Sequence, residues 1–173
     1  KFKQKSTNTQ NAQLFSSGIY FQDTWDINEK VKIESGLRID NVSYKNNNYN
    51  KNQTFILPRI STLFKLSDKI TSRIGGGLGY KIPTIFTEQT ESMQYQNILS
   101  LANVKAEQSI GGTADINYTT TLFGDLSFSI NQLFFYTSIS NPLVLRSDIS
   151  GNYFFTNASN PIVSNGFETN LKL

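Results

Sequence analysis

The feature that most constrains this chain is a period of two held over unusually long stretches. From Phe15 to Ile27, the residues Phe15, Ser17, Ile19, Phe21, Trp25 and Ile27 share one side, and Ser16, Gly18, Tyr20, Gln22, Thr24 and Asp26 the other. Successive side chains of a strand point to opposite faces, so this pattern predicts a strand and not a helix. After the polar turn Asn28, Glu29, Lys30 the alternation resumes, with Val31, Ile33, Ser35, Leu37 and Ile39 against Lys32, Glu34, Gly36, Arg38 and Asp40. A third strand is expected from Thr54 to Leu66, its apolar face formed by Ile56, Pro58, Ile60, Phe64 and Leu66. Pro58 lacks a ladder donor, which places it at a bulge or in the outer part of that strand. A fourth strand runs from Ile70 to about Ile82, with Ile70, Ile74, Leu78 and Tyr80 opposite Thr71, Arg73, Gly75, Gly77, Gly79 and Lys81. A fifth carries Ile110, Gly112, Ala114, Ile116 and Tyr118, and a sixth carries Leu126, Phe128, Ile130, Phe134 and Tyr136. Beyond Ser140 the chain stays extended through Leu143, Leu145, Tyr153 and Phe155, broken by a turn at Asp148 to Asn152. A seventh strand starts near Val163, with Phe167, Leu171 and Leu173 facing away from Gly166, Glu168 and Lys172.

The connections alternate in length. Turns of about three or four residues join strands at one end, and connections of roughly ten to 25 residues at the other, whereas soluble sandwiches have strands of about five or six residues and turns at both ends. The long connections are the Asn- and Lys-rich stretch Tyr44 to Gln53, read as a solvated loop, and Pro83 to about Glu107, which has room for a short helix. Strands of this length approach what a tilted strand needs to cross hydrocarbon. The face opposite the apolar one holds Ser, Gly, Asn, Thr and charged residues, so it suits a wet lumen better than a second dry core. The expected fold is all-β, an antiparallel meander forming part of a transmembrane outer-membrane β-barrel. Trp25, Tyr20, Tyr44, Tyr80, Tyr118 and Tyr136 fall near predicted strand ends, where interfacial girdles place aromatics.

Composition narrows the chemistry. The 173 residues contain no His and no Cys, which removes disulfides, thiol catalysis and every His-based triad, and most transition-metal sites with them. Neither a cofactor nor a metal is expected, and no enzyme activity. Sixteen Lys plus Arg against 13 Asp plus Glu, spread along the chain, form no basic cluster, so nucleic acid is not an expected partner. The Gly-rich run Gly75-Gly76-Gly77-Leu78-Gly79 lies inside a strand, not between a strand and a helix, and so is not a phosphate cradle. Strand curvature, or close approach of another element, accounts for it better.

Several short stretches together resemble the barrel of TonB-dependent outer-membrane receptors, particularly those of the Bacteroidetes type. Gly18 to Trp25 (GIYFQDTW) followed by Gly36-Leu37-Arg38-Ile39-Asp40 is similar to the family's "YxQDxW" and "GxRxD" strand pair. Leu57-Pro58-Arg59-Ile60-Ser61 resembles "xPRLS", Gly79-Tyr80-Lys81-Ile82-Pro83-Thr84 resembles "GFRAPT", and Asn103-Val104-Lys105-Ala106-Glu107 resembles "NLKPE". Lys81 stands where Arg is usual and Ala106 where Pro is usual. The resemblance implies an outer-membrane receptor for a siderophore, haem, corrinoid or glycan in a Gram-negative cell. Its implied partners are outer-membrane lipid, its own plug domain, the TonB complex through an N-terminal part, and a small-molecule or oligosaccharide ligand. Residues 1–173 are then expected to be a fragment of about seven strands, without plug domain or barrel end, since an open sheet leaves unpaired edges.

By position, the candidate ligand-binding residues are Tyr80 and Lys81 at the mouth, Gln94 and Tyr95 in the long loop, and Arg146, Tyr153 and Phe154 in the later one. Each has a plainer reading, Tyr80 as girdle, Lys81 as lumen charge, and Tyr153 with Phe154 as hairpin packing. Arg38, Asp40, Arg59 and Arg73 are expected to form lumen charge pairs or to contact a plug. A passive porin-like or adhesin barrel, or a soluble β-sheet binding module, remains open as an alternative.

Overall fold

The computed structural model of the chain describes residues 12–46 and 49–173. The first two strands, β1 (Ala12–Asn28) and β2 (Val31–Asn46), are 17 and 16 residues long. They are followed by β3 (Tyr49–Lys65), β4 (Ile70–Lys81), the short helix α1 (Glu88–Ser92), β5 (Glu107–Leu122) and β6 (Leu126–Ser140). Two five-residue strands, β7 (Leu143–Ser147) and β8 (Tyr153–Asn157), precede the last one, β9 (Ile162–Lys172). Seven strands form one antiparallel sheet in the order β1-β2-β3-β4-β5-β6-β9, and β7 and β8 pair separately as a hairpin. The meander expected from the alternation is therefore present, and the extended stretch after Ser140 is that separate hairpin.

Register explains why one face is apolar throughout. Reading across the sheet, Trp25, Ile33, Thr62, Ile74, Ala114, Phe134 and Phe167 are successive partners. On the opposite face Gln22, Gly36, Arg59, Gly77, Gly111, Thr137 and Ser164 form a row of the same kind. A slip of one residue would exchange the two faces, so the sequence pattern and the ladder specify each other. The glycines of β4 allow a close approach. A Cβ on Gly76 would lie 2.8 Å from the carbonyl oxygen of Gly111 in β5, closer than side chains tolerate.

Among the described residues, none covers the apolar face. Ile19, Phe21 and Phe167 are 73%, 70% and 79% exposed, and Ile56, Ile60, Ile74 and Phe134 are exposed as well. The buried apolar residues among those described form two small clusters, one of Ile85, Ile98, Leu101, Val104 and Phe155 and one of Val42, Phe55 and Ala106. Both lie at the end of the sheet that bears the long connections. An apolar sheet surface this wide, left bare in water, would cost far more than a soluble domain tolerates, whereas hydrocarbon is a good solvent for it.

The two ends differ as expected. Short turns of polar character close β1 to β2 and β3 to β4. In the first the Asn28 side chain accepts the Lys30 amide at 2.9 Å, and in the second Ser67 Oγ accepts the Ile70 amide at 3.1 Å. The expectation of a solvated loop at Tyr44 to Gln53 is corrected by the structure. Tyr44 pairs with Lys51 and Asn46 with Tyr49, so the ladder continues almost to the tip. Backbone hydrogen bonds need no apolar periodicity, and outside hydrocarbon a hairpin of Asn and Lys is free to continue the ladder.

Candidate functional site

The polar face carries a cleft of ≈ 560 Å³, lined chiefly by Tyr20, Gln22, Arg38, Leu57, Arg59 and Tyr80. Each is placed by strand parity except Tyr80. Alternation puts Tyr80 with Ile74 and Leu78 on the apolar face, and the structure overturns that. The Tyr80 hydroxyl donates to Asp40 Oδ2 at 2.8 Å, and its ring stacks on Phe55 at 3.9 Å between centroids with planes 5° apart. The physical reason is local. β4 keeps its register with β5 through Tyr80 opposite Gln108, but its described ladder with β3 ends at Arg59 opposite Gly77, beside Pro58, which has no amide to donate, so beyond that point the two strands can part and the Tyr80 ring reaches Phe55 and Asp40. Tyr20 is likewise no girdle residue. It lies opposite Arg38 near the middle of β1, with its hydroxyl donating to Gln22 at 3.2 Å.

Asp40 is the most enclosed charge, with a fully buried side chain that accepts Arg38 Nε at 2.8 Å as well as the Tyr80 hydroxyl. The space it fills exists because residue 18 has no side chain. A Cβ on Gly18 would overlap the Asp40 carboxylate. Arg38 and Asp40 thus form the expected lumen charge pair. Arg59 and Arg73 make no ion pair among the described residues, although Asp115 Oδ1 accepts the Arg73 amide at 3.1 Å. Arg59 stands in a row between Gly36 and Gly77, its guanidinium free to meet an anionic or carbonyl group.

Above the cleft sit the two long connections. In the first, Thr87 caps α1 and the buried Thr90 hydroxyl donates to the carbonyls of Ile85 and Thr87. This anchor supports Gln94 and Tyr95, both at positive φ (53° and 55°), a conformation that costs energy for residues other than glycine. Tyr95 meets Phe86 edge to face at 5.8 Å, and both rings are exposed. In the second connection, Arg146 lies opposite Phe154 on the β7–β8 hairpin, and Tyr153 packs on the first cluster. Lys81 faces Glu107 at 3.8 Å. The structure therefore gathers Tyr80 into the cleft, places Gln94 and Tyr95 on the outer loop and Arg146, Tyr153 and Phe154 on the hairpin, and leaves Lys81 at the rim.

Sequence reasoning missed Phe86, Phe55 as Tyr80's stacking partner, and Thr90. Only Thr90 has a local signal, the Thr87–Thr90 spacing of a cap before a short helix. Among the described residues, no three Asp or Glu side chains come together as a metal site.

The fold has counterparts in known proteins. Residues 2–173 match the family described as TonB dependent receptor-like, beta-barrel. The chain belongs to that family. No curated protein matches it in sequence. Among solved structures, the FrpB iron transporter from Neisseria meningitidis superimposes with a TM-score of 0.73 at 18% identity, over 91% of this chain and 23% of that one. A double mutant of the Serratia marcescens hemophore receptor HasR, in complex with its hemophore HasA and heme, gives 0.72 at 13% identity, over 90% and 31%. The siderophore receptor PirA from Pseudomonas aeruginosa gives 0.70 at 17%, over 91% and 28%. At such identities the likeness shows a shared fold. This TonB-dependent receptor-like chain spans about a quarter to a third of the length of those proteins. The family is one of transport receptors, not of enzymes.

Proposed function

We propose that this chain is part of the barrel wall and outer mouth of a Gram-negative outer-membrane receptor that takes up a scarce solute by TonB-dependent transport. The observation that carries the reading is the bare apolar face of a seven-stranded sheet, backed by a polar face with a cleft. Lipid covers the first, and solute passes along the second. In this reading the complete protein has further strands that close the barrel, a plug domain inside it, and an N-terminal segment engaged by the TonB complex. The structurally similar proteins named above, an iron transporter, a hemophore receptor with heme and a siderophore receptor, support a solute of the scarce-nutrient kind. The solute would first meet Gln94, Tyr95, Arg146, Tyr153 and Phe154 on the outer loops. Tyr80 and Lys81 at the mouth, and then Arg38 and Arg59, would receive it.

The test is uptake by cells carrying the complete gene, with and without a functional TonB. Radiolabelled ferric siderophores, haem, cobalamin and oligosaccharides would be offered in turn. Accumulation of one of them that disappears without TonB is the expected result. Accumulation that persists without TonB would instead make the protein a passive barrel.

A further inference from the structure

The two long outer connections are not independent loops. The amide of Leu99, in the first, donates to the carbonyl of Tyr153 in the β7–β8 hairpin at 2.8 Å, and the Tyr153 amide returns a bond to Asn97 at 2.8 Å. Ile98 and Tyr153 thereby form a parallel bridge, in a protein whose other ladders are all antiparallel among the described strands. Around this bridge Ile85, Ile98, Leu101 and Val104 of the first connection pack with Phe155, Leu143 and Leu145 of the second. Tyr44, from the top of β2, packs against the same cluster.

One polar side chain closes the assembly. Asn157 Oδ1 accepts the amide of Lys105 at 2.7 Å, and its Nδ2 donates to the Lys105 carbonyl at 3.0 Å and to the Asn141 carbonyl at 2.7 Å. The side chain imitates a strand's backbone, satisfying both groups of Lys105 where no strand is paired. Glu107 Oε1, at the first residue of β5, accepts the Leu143 amide at 2.6 Å and ties the hairpin to the wall strand that follows the first connection.

We propose that Asn157 is a positioning residue for solute capture, joining the two connections into one cooperatively folded cap. Gln94 and Tyr95 on one side and Arg146, Tyr153 and Phe154 on the other then form a single preorganised surface. The capture role rests on the receptor reading above; the cap itself does not.

The test uses the full-length receptor in lipid nanodiscs and needs no ligand. Residue-resolved hydrogen exchange should show the amides of Leu99, Lys105, Leu143, Tyr153 and Ala158 opening together, with one shared protection factor. Asn157→Ala should raise the exchange of all five by on the order of tenfold or more, from the loss of its three bonds. Exchange at Ile74 and Gly111 in the wall should not change. Spin labels at Gln96→Cys and Ser147→Cys should give one narrow distance distribution in the parent and a broad one with Asn157→Ala. Protection confined to the hairpin while Leu99 and Lys105 exchange freely would overturn the proposal even without any variant. So would an Asn157→Ala effect on one connection only, or an unchanged distance distribution. A cooperative cap in a protein that takes up nothing through TonB would leave the cap standing and sink the receptor reading.

Discussion

Tyr80 shows how much one side chain does here. Its ring covers Phe55, and its hydroxyl joins a buried carboxylate that also holds Arg38, so three strands meet through a single phenol. Tyr80→Phe keeps the stack and deletes one hydrogen bond to a charged group, a loss of about 1.5–3 kcal/mol. Urea unfolding of the full-length receptor in vesicles, compared with the parent, measures it. Asp148 is a second test at this scale. Its carboxylate accepts the amides of Ser150 and Asn152 and the Asn152 side chain, and these bonds hold its pKa below the ordinary carboxylate value, the Asn152 side-chain bond contributing most. The charged form is the bonded one. Its ordering of the hairpin tip is therefore complete above the unfolded Asp value of about 3.9 and is lost as pH falls through the lower folded value. A spin label at the exposed Ile149→Cys should stay restricted at neutral pH and become mobile only below that range, and Asp148→Ala should be mobile throughout. Of these partnerships only the Arg38–Asp40 pair was expected from the sequence. Tyr80 was misplaced because alternation does not reveal where β4 parts from β3 while still paired with β5, and Asn157 is one of 19 asparagines in an Asn-rich chain.

At the scale of elements, the strands were the most readable part. A two-residue period survives any tertiary context that wets one face and leaves the other in oil, so strands from Phe15 to Ile27 and from Ile70 to about Ile82 could be expected from alternation alone. The hairpin of β2 and β3 beyond Tyr44 could not, because a strand outside the membrane loses the apolar half of its signal. The same physics yields a prediction. Ile60→Arg, on the apolar face of β3, should destabilise folding into vesicles by about 2–4 kcal/mol, the cost of a guanidinium near the bilayer midplane. Thr113→Arg, on the polar face of β5, should cost far less in the same refolding titration. Helix α1 was expected only as room for a short helix, since five residues carry almost no periodicity. Its stability comes instead from Thr87 and Thr90. Thr90→Val removes the buried hydroxyl and should loosen the Gln94–Tyr95 turn, seen as faster exchange of the Tyr95 amide, which bonds to the Thr90 carbonyl at 2.9 Å.

At the scale of the molecule, β1 and β9 are the outermost of the described strands, and each leaves an edge that no other described strand pairs. Each unsatisfied backbone group costs several kcal/mol in hydrocarbon, so residues 1–173 expressed alone should fail to insert into vesicles. Protease protection and heat-modifiable gel mobility, both expected of a closed barrel, should be absent from residues 1–173 expressed alone. Spontaneous insertion of the piece would require it to close its edges with copies of itself. The separation of the buried clusters from the wall has a consequence for how freely this sequence can vary. A wall residue such as Ile74 or Phe134 meets fluid lipid chains that adapt to any apolar shape, so exchanges among Ile, Leu, Val and Phe there should pass almost unnoticed. Leu101 and Val104 meet fixed neighbours, where one methyl group too many or too few is felt. A saturation library of the full receptor should therefore read as two alphabets, one on the wall asking only for oiliness and one in the cap asking for a particular shape.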